Sequence, residues 1–310
     1  MRRFEGSDAL ALLAGMPVLA IFAWWMADEG GYVPADWMPG LFGVAVVLGM
    51  VVALACDRGR RSRPAHVAIA ALSAYTLWSF ASILWADAPG PALEGSQRTL
   101  LYLVCFACFA LAPWTPRGLL VFLSLFVLTV TLLGLVTLLR VAAAADPSGF
   151  FLEGRLSGPL GYPNASAALW TFGAIPALML ASRPDVIAWL RPAFLGASGL
   201  LLGLAVTTQS RGWLFTLPVV LLAALVLAPG RARLILFAAP VAAALGLASG
   251  DLLAPYREAE SLSPVEAGGV LRAAFDATAS SLLLAAAGLV IVGALMVWID
   301  GSFRRRCTPA

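Results

Sequence analysis

Residues 119–140 read LLVFLSLFVLTVTLLGLVTLLR, an apolar run with no charge before Arg140. At 1.5 Å per residue a helix of that length covers about 33 Å, enough to cross a hydrocarbon layer of roughly 30 Å. Lipid offers no water to a free N–H or C=O, so a spanning segment must be a helix or a strand of a closed barrel. Barrel strands alternate apolar and polar positions over about ten residues. This run does not alternate, and it reads as a transmembrane helix.

The same pattern recurs on both sides of it. Further spans are predicted at 9–27, 39–56, 67–85, 98–112, 164–182, 193–208, 212–228, 234–249 and 279–299. The fourth and seventh in chain order, 98–112 and 193–208, are short. Composition agrees, with 61% hydrophobic and 12% charged residues and a mean hydropathy of +0.90, against about 25% charged residues in a soluble domain. The expected fold class is all-α: a polytopic membrane helical bundle of about ten transmembrane helices, one transmembrane domain over 1–310. Spans of that number leave no room for a soluble domain. The longest outer segment, 250–278, is expected as a short loop, with Pro264 to Ala277 patterned as an interfacial helix.

Arginine sets the orientation. All 20 basic residues are Arg. Alternating crossings place Arg2, Arg3, Arg58, Arg60, Arg61, Arg63, Arg117, Arg183, Arg191, Arg231, Arg233 and Arg304 to Arg306 on one side. Arg98, Arg140, Arg155, Arg211, Arg257 and Arg272 fall on the other, with most of the acids. The positive-inside rule makes the Arg-rich side cytoplasmic, so both termini are expected there. The first span lacks a small-x-small site before Asp28 and is expected to be a retained helix rather than a cleaved signal. Cys105 and Cys108 fall inside an apolar span, where they read as small buried hydrophobes rather than a redox or zinc pair.

Charged or polar groups at the lipid boundary carry the functional signal. The inner loops are short and basic, as topology determinants are. Three outer segments hold more. In 146–164, Glu153-Gly154-Arg155 precedes a Gly/Pro-rich turn that ends at Asn164, placed to cap the sixth span. Small residues let backbone amides approach a ligand, and the planar guanidinium fork suits phosphate. Arg155 paired with Glu153 in an ordinary loop is the structural alternative. In Thr207-Thr208-Gln209-Ser210-Arg211-Gly212, an Arg is held in a tight hairpin close to lipid, where its charge needs headgroups, a carboxylate or a phosphorylated substrate, or must snorkel to water. In 250–278 lie Asp251, Arg257, Glu258, Glu260, Glu266, Arg272 and Asp276. No Gly-rich loop with a following Lys, no metal-ligand cluster and no Gly-x-Ser-x-Gly elbow is present, and the single histidine, His66, reads as structural.

The run from Arg155 through Ser157-Gly158-Pro159 to Asn164-Ala165-Ser166, the later Thr208-Gln209-Ser210-Arg211-Gly212, and the stretch Leu77 to Pro89 at the end of the third span together resemble the O-antigen ligase and O-antigen polymerase superfamily over roughly residues 67 to 250. The resemblance implies a polytopic glycosyltransferase of the bacterial cytoplasmic membrane. Such an enzyme takes a glycan from undecaprenyl pyrophosphate at the outer face and passes it to a lipid or sugar acceptor, with no metal or other cofactor. It implies that Arg155 and Arg211 grip the carrier pyrophosphate, with Asn164 and Ser210 of the same motifs as further substrate-binding positions. Family ligases carry a late outer loop with another Arg and a histidine. Here Arg257 or Arg272 would supply the cation, and a base would have to be a carboxylate such as Glu258, Glu260 or Glu266. A chain that keeps the carrier site without the transfer step is a variant of the same reading.

The expected partners are the lipid-linked glycan, the bilayer and an envelope-assembly protein, and no nucleic acid. Two other classes compete. A ten-helix small-metabolite transporter would show paired broken helices and similarity between residues 1–150 and 151–310, and neither is visible. A scaffold subunit would use small-residue surfaces such as Gly196 to Gly199 and Gly203 for close helix packing.

Overall fold

The computed structural model describes residues 6–55, 63–227, 230–261 and 267–307. Ten helices follow one another: α1 (Gly6–Ala27), α2 (Pro34–Ala55), α3 (Arg63–Ala81), α4 (Pro89–Leu111), α5 (Pro116–Ala143), α6 (Pro163–Ser182), α7 (Leu190–Thr207), α8 (Arg211–Leu227), α9 (Arg231–Ser261) and α10 (Ala267–Cys307). A two-stranded hairpin, β1 (Phe151–Leu152) and β2 (Arg155–Leu156), interrupts them between α5 and α6. Eight of the described helices are long and apolar enough to cross a membrane, and α8 is a shorter apolar helix. The chain is an all-α protein with the composition of a multi-pass membrane protein.

The ten helices correspond in order to the ten predicted spans, with two differences. Helix α4 starts at Pro89 rather than at residue 98. Proline suits the first turn of a helix, where its missing N–H is not needed. The polar residues that follow pair internally: Arg98 donates to Glu94 one turn earlier at 2.7 Å and to the Tyr32 carbonyl at 2.8 Å. The segment 250–278 is neither a loop nor a separate interfacial helix where it is described. Residues 250–261 extend α9 and 267–278 open α10, and Thr278 donates to the Asp251 carbonyl at 2.7 Å, holding the two together. At 31 and 41 residues these helices run about 46 and 62 Å, well beyond a hydrocarbon layer. Contacts gather into two compact units, Met1–Phe122 and Leu123–Ala310, with the division inside α5. A continuous apolar run carries no compositional mark of such a division.

In the first unit the core is Ala14, Val18, Val44, Val47, Val51, Val104, Cys108 and Ala112, from α1, α2 and α4. Gly40 lets α2 approach the Trp25 ring of α1, since a Cβ there would lie 2.1 Å from the indole. Trp25 in turn donates to the Asp36 carbonyl. On α3, Thr76 alone is fully buried, and the rest of the helix is partly or fully exposed. Cys108 is buried, with its thiol against the Val44 carbonyl.

In the second unit α7 is the central element, with most of its residues buried. Its glycines seat α10: a Cβ on Gly199 would lie 2.2 Å from Leu289, and one on Gly203 2.1 Å from Leu282. The small-residue face is thus used inside the chain. Near the start of α7, the nearly inaccessible Arg191 donates to the Ala181 carbonyl at 2.8 Å and to Asp300 at 3.3 Å. Arg233 of α9 pairs with the same carboxylate, and the Phe237 ring lies under the Arg191 guanidinium. Arg191 and Arg233, which the sequence assigns to one side, thus meet at one carboxylate.

Candidate functional site

Beyond the C-terminal end of α7, two turns are built so that they present Arg155 and Arg211 to one space. The first is the β1–β2 hairpin. Leu152 faces Arg155 in its register, so Glu153 and Gly154 form a two-residue turn. Both have positive φ, 51° and 70°, the backbone of a type I′ turn whose twist matches that of paired strands. Successive strand residues point to opposite faces: Leu156 is completely buried, and Arg155 takes the other side, its side chain 26% exposed. The hairpin is fixed from below. Ser157 and Gly158 donate their backbone N–H groups to the Phe150 carbonyl, Ser166 of α6 donates to the Ser157 carbonyl at 2.6 Å, and the Phe151 ring stands edge-on to Phe275 of α10.

The second turn joins α7 to α8. Gln209 adopts a φ of 47°, which reverses the chain in three residues. Ser210 then caps α8 by accepting from the Trp213 N–H at 3.1 Å, the geometry of an N-cap. The Ser210 hydroxyl donates to the Asn164 carbonyl oxygen at 2.7 Å, and the Asn164 amide donates to the Tyr162 hydroxyl at 2.7 Å. Asn164 therefore does not cap α6, whose N-cap is Tyr162 and whose first residue is Pro163. It is the brace between the two turns. One helix turn further in, Trp213 donates to Thr171 at 2.6 Å and locks α8 to α6 again.

The result is a polar cavity of about 570 Å³ lined by Glu153, Arg155, Asn164, Gln209, Arg211, Gly212 and Tyr256. Arg155 donates to Glu153 at 2.7 Å. Arg211 is exposed and makes no ion pair with a described residue. It is also the first residue of α8, where the helix dipole is positive and a cation is disfavoured. Neither helix stability nor a carboxylate accounts for its place. Snorkelling to water or headgroups would, and so would a bound anion, to whose attraction the N–H groups of the first turn of α8 add.

Sharing Asn164 and Gly212 with that cavity is an apolar groove of about 510 Å³ between α6 and α8, walled by Phe172, Ile175, Pro176, Trp213, Leu217 and Val220 among others. A polar cavity with two arginines and an apolar groove thus meet at Asn164 and Gly212.

Of the residues expected at the site, Arg155, Arg211 and Asn164 line the cavity, and Ser210 sits beneath it. Arg257 and Glu258 are exposed on α9, and Arg272 is exposed on α10; none lines the cavity. The side chain of Glu260, and the whole of Glu266, lie outside the described residues. Glu153, entered in the sequence only as a partner for Arg155, is part of the cavity wall. Gln209 and Tyr256 were missed, although Tyr256 stands next to Arg257. The chain matches no protein-family model, no curated protein and no solved structure.

Proposed function

We propose that this chain is a multi-pass protein of the bacterial cytoplasmic membrane that binds an undecaprenyl-pyrophosphate-linked glycan at the outer face and transfers it to a lipid or sugar acceptor. Both termini are cytoplasmic in this reading, and all ten helices cross. One observation carries it: Arg155 and Arg211, from separate turns, line one cavity that shares Asn164 and Gly212 with an apolar groove. The diphosphate lies between the guanidinium groups, the first polyprenyl units follow the groove between α6 and α8, and the glycan extends toward Tyr256.

The chemistry suits two arginines. When the glycosidic bond breaks, its electron pair goes to the diphosphate, whose negative charge grows. Guanidinium groups stay protonated and offer paired donors to phosphate oxygens. Fixed in a partly dehydrated site, they favour the charge that develops in the transition state over that of the bound substrate.

The test is binding of inorganic pyrophosphate and of farnesyl diphosphate to the full chain in nanodiscs. Arg155→Ala and Arg211→Ala should each weaken both by about tenfold or more, in line with charge-assisted hydrogen bonds of roughly 1.5–3 kcal/mol. Farnesyl diphosphate should bind more tightly than pyrophosphate, and Ile175→Asp should remove that difference alone. Unchanged binding in both arginine variants would end the proposal.

A further inference from the structure

Glu153 is the one acidic side chain, among those described, that lines the cavity. Its position is not explained by the hairpin. It occupies the first place of a type I′ turn with a φ of 51°, a conformation that suits Gly, Asn or Asp far better than Glu. Nor is it explained by binding. A pyrophosphate diester carries two negative charges, which Arg155 and Arg211 match, and a carboxylate in the same space repels it. A cavity that only held this ligand would bind it better without Glu153.

Its pairing with Arg155 is lopsided. The bond is 2.7 Å, yet the Glu153 side chain is 77% exposed while that of Arg155 is 26% exposed. The guanidinium is the more buried member and the carboxylate the one that faces outward.

We propose that Glu153 is the proton acceptor of the transfer step, held by Arg155 until the diphosphate takes that guanidinium. This rests on the carrier-binding reading above. The incoming hydroxyl gives its proton to the Glu153 carboxylate as its oxygen bonds to the anomeric carbon. The bond from that carbon to the diphosphate oxygen breaks, and its electron pair leaves with the polyprenyl diphosphate between Arg155 and Arg211. Glu153 then returns the proton to water. Glu258, the other described acid considered for this role, points from α9 without lining the cavity. It keeps bonding of its own.

The experiment separates a proton acceptor from a clamp that merely orients Arg155. The full chain is placed in nanodiscs of lipid extracted from the source cells, with the glycans of the same cells added, so that lipid and sugar acceptors are both present. Pyrophosphate binding is measured together with release of sugar-free carrier from a short polyprenyl-diphosphate-linked N-acetylhexosamine. Glu153→Gln and Glu153→Asn should bind pyrophosphate as tightly as the native chain or several-fold more tightly, and release carrier about 100-fold more slowly, the usual scale of a lost general base. Asn is at home in the turn, so Glu153→Asn guards against a folding defect. Glu153→Asp, an acid suited to the turn, should restore part of the rate. Weakened pyrophosphate binding in the Gln and Asn variants would identify a clamp and overturn the proposal. Carrier release within about threefold of native, or none from a native chain that binds pyrophosphate, would overturn it too. If the native chain binds no pyrophosphate, the carrier-binding reading has failed, and this inference with it.

Discussion

Helix α7 has charge beyond each of its ends, and the two ends treat arginine in opposite ways. Near its start, Arg191 is withdrawn from solvent, donates to a carbonyl and to Asp300, and shares that carboxylate with Arg233. Just past its other end, Arg211 is exposed beside a cavity with no acid from the described residues paired to it, and Arg155 has only the outlying Glu153. A buried cation costs several kcal/mol unless it is matched, and the first cluster matches it from helices α6, α9 and α10. The second cluster is built by turns, and their strained positions, Glu153 and Gln209, serve to aim side chains rather than to satisfy them. The difference separates an arginine that holds helices together from one left exposed at a cavity, which the proposed function keeps for a ligand.

The contrast breaks most readily at Asp300. Asp300→Ala removes the carboxylate that Arg191 and Arg233 share, and the loss should be about 3 kcal/mol, the low end for half of a buried ion pair, because Arg191 keeps its carbonyl. Thermal melting in detergent should fall by several degrees while pyrophosphate binding is unchanged. Arg211→Ala should do the reverse, with native melting and binding weakened about tenfold or more. If Arg211→Ala also melts early, Arg211 is a structural residue and the distinction between the two ends disappears.

Much of this was legible in the sequence, because lipid imposes a long apolar period that few other constraints disturb. The order of the ten helices and the two arginine turns could be read from span lengths and from polar residues left at their ends. The start of α4 could not: hydropathy penalises Glu94 and Arg98 separately, while in the helix they lie one turn apart and cancel. The extensions of α9 and α10 were hidden by their charges, although Ala, Leu, Glu and Arg are all good helix formers. The same extension decides which residues face the cavity. Once α9 continues as a helix, neighbouring positions point about 100° apart, so Tyr256 faces the cavity while Arg257 beside it does not. The division of contacts within α5 left no trace in the sequence at all.

A smaller effect sharpens the view that the cavity is aimed by its turns. Ser210 both caps α8 and donates to Asn164. Ser210→Ala should cost about 1 kcal/mol, the usual value of an N-cap. Pyrophosphate binding should weaken several-fold, although Ser210 does not line the cavity, because Arg211 follows it directly. Ser210→Asn, which can still cap, should recover the stability more fully than the binding. Equal recovery of both would mean that the bond to Asn164 does not set the position of Arg211.

The least effect is expected at the other charged loop of the second unit, between α6 and α7. There Arg183 and Asp185 form two parallel hydrogen bonds, 3.0 Å from Nε and 2.7 Å from Nη2. The pair is nearly half exposed, 41% and 47%, so water screens it, and it is worth a few tenths of a kcal/mol at most. The Arg183 guanidinium holds the Asp185 carboxyl below its ordinary 3.8. The unfolded chain therefore takes up this proton first as pH falls. The stabilisation is complete above about pH 4 and is lost as pH drops through the lowered folded value. Asp185→Asn should leave melting at pH 7 within about a degree of native and flatten the acid dependence slightly. A loss as large as that of Asp300→Ala would show that exposure does not govern what an arginine pair contributes in this protein, and the contrast between the ends of α7 would need another cause.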